Sequence, residues 1–242
     1  MSYDLSKANQ VFHQLVHHQS KWDTFQSILD FALIPHRWHP DAEALRDARQ
    51  QLIDWPGKEL ILQFLTHLAD LQPGGFNDPI GEIYMEHFAN DRLGQYFTPE
   101  PICDMNAQMI IGTDPEDGKT VLDPACGSGR MLLATAKINR HLQFYGADLD
   151  PTCCKMALLN MMLNSLTGEI AHMNSLSNEF YRGYACHTKL INGYHHPYFI
   201  EFTEPHQSRI WLRPKPVPSL EPTKPIATAP NSHPHLRQGS LF

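Results

Sequence analysis

The sequence predicts an α/β domain built on a parallel sheet, with an all-α module ahead of it. Three observations lead there. A short β-type run, Thr120-Val121-Leu122, enters the glycine turn Asp123-Pro124-Ala125-Cys126-Gly127-Ser128-Gly129-Arg130 and then an apolar helical run, Met131-Leu132-Leu133-Ala134-Thr135-Ala136. Two further β-type runs follow: Gln143-Phe144-Tyr145-Gly146-Ala147, which delivers Asp148, and Glu169-Ile170-Ala171-His172-Met173, which delivers Asn174. Upstream, apolar residues recur at helical spacing through residues 5 to 91.

The elements can be justified in order. Val11, Leu15, Phe25, Ile28 and Leu29 mark the first helices. Ala44, Leu45, Leu52 and Ile53 mark another, and Leu60, Ile61, Phe64, Leu65 and Leu68 one more. Pro35, Pro40, Pro56 and Pro73-Gly74-Gly75 separate them, so residues 1–91 form a helical N-terminal module whose apolar stripes are core. Residues 92–212 form the cofactor unit. Thr98 reads as a helix N-cap with Pro99 at the first helical position, and Ile102, Met105, Met109 and Ile110 continue at helical spacing. After the second strand Asp150 caps and Pro151 starts a helix over Cys153 to Leu163, ended near Gly168. Residues 177–212 show no convincing fourth strand, and about 37 residues between Asn174 and Trp211 are too few for four more strands with helices. Residues 213–242 are rich in Pro, Thr, Ser and Ala and read as a flexible tail.

The turn itself selects a ligand class. Gly127 and Gly129 let backbone approach a ligand at a helix N-terminus, but position 132 is Leu, so the third glycine of a pyrophosphate-binding turn is missing. Asp123 would repel a phosphate and suits a ligand carrying an ammonium and a sulfonium. At the end of the second strand Asp148 is placed to accept both ribose hydroxyls, with Asp150 the alternative. Together these describe a site for S-adenosylmethionine. Standing alone, the glycines would only make a tight connection.

Gly94-Gln95-Tyr96-Phe97-Thr98-Pro99 upstream of Asp123-Pro124-Ala125-Cys126-Gly127-Ser128-Gly129 closely resembles the N6-adenine DNA methyltransferases, especially the methylation subunits of type I restriction-modification systems. The resemblance runs from about Asp78 to Leu176. It implies a Rossmann-like S-adenosylmethionine-dependent methyltransferase core, here with a truncated sheet. By the same resemblance Tyr96, Phe97 and Thr98 wrap the methionine end of the cofactor, and Asp123 lies near its amino group. Ala125, Cys126, Gly127 and Gly129 form the turn, Asp148 holds the ribose, Leu149 covers the adenine, and Asn174 meets its amino group. Thr98 thus has a capping role and a ligand role side by side.

The sequence departs from the family downstream. The resemblance implies Asn-Pro-Pro followed by Tyr or Phe, whose Asn and proline carbonyl hold the target amino group while the ring stacks on a flipped base. No Asn-Pro-Pro occurs in this sequence; the nearest fragments are Asn192-Gly193-Tyr194 and His196-Pro197-Tyr198-Phe199. Asn192 and Tyr198 are the weak catalytic candidates. Three readings follow: a compact methyltransferase using Asn192 or Tyr198, a binding or regulatory subunit that keeps the pocket without transfer, and a structural protein that binds no cofactor. No target-reading domain is visible.

Composition narrows the partners. A net charge of −7 argues against gripping much DNA by this chain alone. Lys189, Arg209, Arg213 and Lys215 are either a local basic face or scattered solvated charge. Five cysteines without a Cys-x-x-Cys pair exclude a secreted disulfide pattern, and neighbouring histidines such as His195-His196 lack metal-ligand spacing. No run of 18 apolar residues and no basic-apolar leader at Met1-Ser2-Tyr3-Asp4 predict a soluble cytoplasmic protein. Gln238-Gly239-Ser240-Leu241-Phe242 resembles the pentapeptide that docks on the replication sliding clamp. The expected partners are therefore DNA, a partner methylation or specificity subunit, and the clamp.

Overall fold

Local side-chain chemistry starts the helices. In the computed structural model, which describes residues 3–17, 20–71, 74–88 and 96–213, Ser20 accepts the Asp23 N–H at 3.0 Å and so caps helix α2 (Lys21–Leu33). Asp41 accepts the N–H groups of Glu43 and Ala44 at the start of α3 (Ala42–Ile53). Around them stand α1 (Ser6–Val16), α4 (Lys58–Asp70) and α5 (Pro79–Phe88). Pro73, Gly94, Gln95, Lys215, the expected tail from residue 214 and the Gln238–Phe242 peptide lie outside the described residues. No helix among the described residues is long and apolar enough to cross a membrane.

Helix α6 (Glu100–Ile111) is capped by Pro99, whose carbonyl accepts Ile102 and Cys103 N–H, and not by Thr98. The capping role read for Thr98 is thereby corrected: the chain enters the helix one residue later, with Pro101 in its first turn. The core then alternates as β1 (Thr120–Asp123), α7 (Arg130–Ile138), β2 (Gln143–Asp148), α8 (Pro151–Leu163) and β3 (Thr167–Asn174). β1 pairs in parallel with β2, and β2 in parallel with β3. Asp150 accepts the Thr152 N–H at 2.7 Å and caps α8, as its sequence predicts.

Two strands stand where the sequence showed none. β4 (Glu179–Ile191) runs back antiparallel along β3, and β5 (Tyr194–Phe202) along β4, giving the order β1-β2-β3-β4-β5. Residues 179–202 thus extend the sheet beyond β3. Asn192 and Gly193, both at positive φ (52° and 83°), make the tight hairpin turn that an Asn-Gly pair favours.

One hydrophobic core joins helices and sheet. Phe12, Phe25, Ile28, Phe64 and Tyr84 share it with Leu132, Phe144, Leu158 and Phe199. Helix α8 is apolar all round because it lies between the sheet and α2, where Gln26 donates to Thr152 and Lys155 pairs with Asp30. The boundary drawn at residue 91 is therefore not a break in packing. One apolar stripe read as core is not, since α3 buries none of its residues; α6, read at helical spacing, leaves Met109 and Ile110 three-quarters exposed. On the sheet face away from α8, Glu169 accepts the Ser208 hydroxyl at 2.5 Å and the Arg209 N–H at 2.9 Å. This lays Ile210 and Trp211 over Ala147, Ala171 and Met173.

Candidate functional site

The parallel register brings Asp123, Asp148 and Asn174 to the carboxyl ends of β1, β2 and β3, the edge at which open α/β sheets bind ligands. Between them runs the glycine turn. The Ala125 N–H donates to Asp123 at 3.1 Å, and the Gly127 N–H donates to Asp148 at 2.8 Å. The turn's amides are thus spent on carboxylates, whereas a phosphate-binding turn aims them at its ligand. Asp148 also accepts the Asp150 N–H at 2.9 Å, while Asp150 itself is engaged in capping α8.

Two carboxylates meet at this turn, and neither forms an ion pair among the described residues. Burial raises the Asp123 pKa; the Ala125 N–H opposes this, and the charge of Asp148 adds to it. Beside them Ala125 and Leu149 are exposed, Leu149 by 58%; Tyr96, next to Phe97 in the sequence, is 67% exposed. A cationic group between the carboxylates and an aromatic ring against Leu149 answer both needs.

Phe97 reaches the turn from 30 residues upstream. Its ring stacks on Tyr84 at 5.3 Å and lies beneath the Arg130 guanidinium, and a Cβ built on Gly127 would stand 2.9 Å from it. With φ at +53°, Gly127 is held by both conformation and space. Thr98 contributes its carbonyl, 3.5 Å from an Arg130 nitrogen. Gly129 opens α7, and Cys126 is buried beneath the turn with its N–H on the Ala147 carbonyl. Burial pushes the Cys126 and Cys154 thiols well above their ordinary range, so neither is an activated nucleophile.

Asn174 accepts the N–H groups of Leu176 and Ser177 and so shapes the turn after β3. The Ser175 hydroxyl then donates to the Pro124 carbonyl at 2.7 Å, drawing this connection against the glycine turn. Asn192 and Tyr198 are not brought here. β4 passes the start of β3 near Cys186, opposite Gly168, so Asn192 at the hairpin tip and Tyr198, opposite His187, lie towards the other end of the sheet. Their assignment as catalytic candidates is corrected by this register. Of the basic residues read together, Arg209 is drawn onto the sheet, donating to the Tyr145 hydroxyl at 3.3 Å.

Sequence reasoning missed the residue that organises the site. Asp78 is fully buried and accepts the Ser128 hydroxyl at 2.5 Å, Arg130 Nε at 2.6 Å, Asn160 Nδ2 at 2.8 Å and the Gly81 N–H at 2.9 Å. Burial pushes its carboxyl pKa up, against the pull of Arg130 and of these hydrogen bonds. Arg130, set against its own burial, is held above its ordinary value by Asp78 and Glu82. Gly81 makes room: a Cβ there would stand 2.0 Å from the carboxylate. The available signal was Asp78-Pro79 ahead of an apolar run, an N-cap followed by proline.

Residues 76–191 match the family model described as N-6 DNA Methylase. The chain is 32% identical over 114 residues to the HindI type I restriction enzyme methylase subunit of Haemophilus influenzae, covering 42% of this chain and 25% of that protein. To the MjaVIII methylase subunit of Methanocaldococcus jannaschii it is 28% identical over 117 residues, covering 44% of this chain and 20% of the relative. A solved methyltransferase subunit of a type I system from Streptococcus thermophilus aligns at 25% identity and a TM-score of 0.33, over 45% of this chain and 25% of its own. The chain therefore spans a quarter or less of the length of these relatives. Over residues 76–191, just under half of its 242 residues, the chain is similar to the N-6 DNA Methylase family.

Proposed function

We propose that the chain binds S-adenosylmethionine at the carboxyl edge of β1 to β3 and serves adenine-N6 methylation of DNA in a restriction-modification setting. The observation that carries this reading is the commitment of the Ala125 and Gly127 amides to Asp123 and Asp148, which turns a phosphate-type loop into a carboxylate-lined one. In this reading Asp123 faces the ammonium end, Asp148 accepts the ribose hydroxyls, Leu149 covers the adenine and Asn174 meets its amino group. Phe97 and Thr98 wall the methionine end through their packing on Gly127 and Arg130. When bound, the cofactor supplies an electrophilic methyl group; the residues named here bind and orient it.

A second reading is favoured by the absence of Asn-Pro-Pro from the 242 residues: the chain keeps the cofactor pocket without transferring the methyl group, as a regulatory or binding subunit of a DNA-modification or DNA-maintenance assembly. DNA and a specificity subunit are then the partners, and Gln238–Phe242 is a proposed tether to the sliding clamp. Calorimetry with S-adenosylmethionine tests the first claim. Binding should be lost or weakened by about 1–3 kcal/mol in Asp148→Ala. No heat from folded wild-type protein refutes it. Label transfer to mixed-sequence DNA tests the second: the chain alone should be inactive, and robust adenine methylation would restore the compact enzyme.

A further inference from the structure

A cavity apart from the cofactor edge carries more cations than anions. It measures about 370 Å³, the size of a small-molecule pocket, and lies between α2, α3, α8 and the β4–β5 hairpin. Lys155 of α8, Arg182 of β4 and Arg37 of the turn after α2 line it. Lys155 pairs with Asp30 at 2.6 Å, whereas Arg37, at 3.1 Å, and Arg182 both pair with Glu201, one on each carboxylate oxygen. Three positive charges thus meet two negative ones, and His39 adds no negative charge. The surplus sits where two guanidiniums share one carboxylate, in a chain whose net charge is −7. Tying the turn after α2 to the hairpin needs one arginine on Glu201, not two.

The rest of the wall is flat and apolar. Trp55 is fixed from behind: its indole N–H donates to Ser27 at 3.0 Å, and its ring meets Phe31 edge-on at 5.8 Å. The hairpin supplies Phe199, under the Arg37 guanidinium, and Tyr184, whose hydroxyl burial and Glu201 keep protonated. Helix α3 closes a further side. Its half-buried residues Ala44, Ala48 and Leu52 recur at every fourth position and so share one face, and Ala48 and Gln51 line the cavity. At Ala48 that face looks onto the cavity and not onto packed side chains, which accounts for an apolar stripe on a helix that buries none of its residues.

We infer that this cavity binds a small flat monoanion, an aryl carboxylate, with its carboxylate at Arg37 and Arg182 and its rings against Trp55. The charge count of the wall selects one negative charge over two. Paired guanidiniums, each with a planar fork of donors, match a planar carboxylate. Size selects a free molecule over a polymer, since about 370 Å³ encloses one bicyclic compound and not a peptide or a strand. Neither Asp123 nor Asp148 takes part, so the site stands whether or not S-adenosylmethionine binds.

The test titrates the full chain with naphthoate by calorimetry. One site should saturate, and in heteronuclear spectra the Trp55 indole N–H, identified by its loss in Trp55→Phe, should be the tryptophan signal that moves. Naphthalenemethanol keeps the rings without the charge and acetate keeps the charge without the rings; each should bind at least about 10-fold more weakly. Naphthyl phosphate, with a second charge, should bind no tighter than naphthoate. Arg182→Gln should weaken naphthoate by about 10-fold and leave the alcohol unchanged, and Ala48→Phe should fill the cavity and remove binding. The Arg182 side chain is 47% exposed and α3 buries none of its residues, so both variants should melt like wild type. Naphthoate binding by a chain that takes no S-adenosylmethionine keeps the cavity site and refutes only the proposed function. No saturable heat, equal affinity for the alcohol, tighter binding of the phosphate, or unchanged naphthoate binding in either variant overturns the inference.

Discussion

Replacing Asp78 by Ala removes one carboxylate and strands four partners, the Gly81 N–H among them. The Arg130 guanidinium, 6% exposed, keeps Glu82 at 2.7 Å and the Phe97 ring, but loses its buried counter-ion. Asn160 keeps the Ser128 carbonyl at 2.9 Å and loses Asp78. The Ser128 hydroxyl, 1% exposed as a residue, loses the acceptor it donates to. Breaking a buried pair costs about 3–5 kcal/mol, and each stranded hydroxyl or amide about 1–3 kcal/mol; since the groups relax together the sum is not additive, and about 4 kcal/mol is expected. At an m-value of about 2.5 kcal/mol/M in urea the unfolding midpoint should fall by about 1.5 M. Asp78→Leu with Arg130→Met should recover the part of the loss due to the uncompensated buried charge, while the Ser128, Asn160 and Gly81 donors still lack their acceptor. A midpoint shift below about 0.5 M, or single effects that simply add in the double variant, would falsify the account of a coupled network.

Three further outcomes follow from the geometry. Gly127→Ala should cost about 1–3 kcal/mol in stability and abolish cofactor binding, since φ is +53° and Phe97 occupies the Cβ position; a variant that melts and binds like wild type refutes this. Burial and Asp148 hold the Asp123 pKa up, and a cationic ligand favours the ionised form, so S-adenosylmethionine affinity should rise with pH through that titration; in Asp123→Asn the dependence should flatten, and calorimetry showing the same slope in both proteins counts against it. Burial lowers the pKa of His36, whose Nδ1 lies 3.4 Å from the Pro197 carbonyl, below the ordinary value of about 6.5. Its neutral form is favoured on folding, so this stability is present above the unfolded value and lost as pH falls through the folded one. Urea midpoints should drop on acidification, less steeply in His36→Gln; identical slopes would remove His36 from the explanation.

The glycine turn, the parallel strands and the acidic strand ends were legible because each is local: strand, turn, helix and terminal carboxylate lie within a few residues of one another. What was illegible depends on distance or on exposure. Asp78 meets Arg130 across 52 residues, and only the Asp-Pro cap hinted at it. β4 was missed because only Gly183 and Cys186 among its residues are buried, so its apolar period is weak, although Asn192-Gly193 marked the hairpin. The α3 stripe carries the correct period and the wrong consequence. Periodicity reports that a face wants cover, not that this chain provides it.

The helices ahead of residue 91 back the glycine turn of the proposed cofactor site, and Asp78 shows why. Its side chain starts α5, and its backbone N–H donates to Glu100, which also accepts the Tyr3 hydroxyl. Through Ser128 and Arg130 the same carboxylate holds the turn that presents Gly127 to Phe97, and Phe97 stacks on Tyr84 of α5. α5 and the turn whose amides bind Asp123 and Asp148 are thus linked by an unbroken set of buried contacts. Rigidity is bought here by burying a charge among apolar helices, which a free-standing cofactor unit of three parallel strands lacks the volume to do. The shared core follows from that requirement: a turn whose amides bind its own carboxylates has no anion to order it and must be fixed from behind.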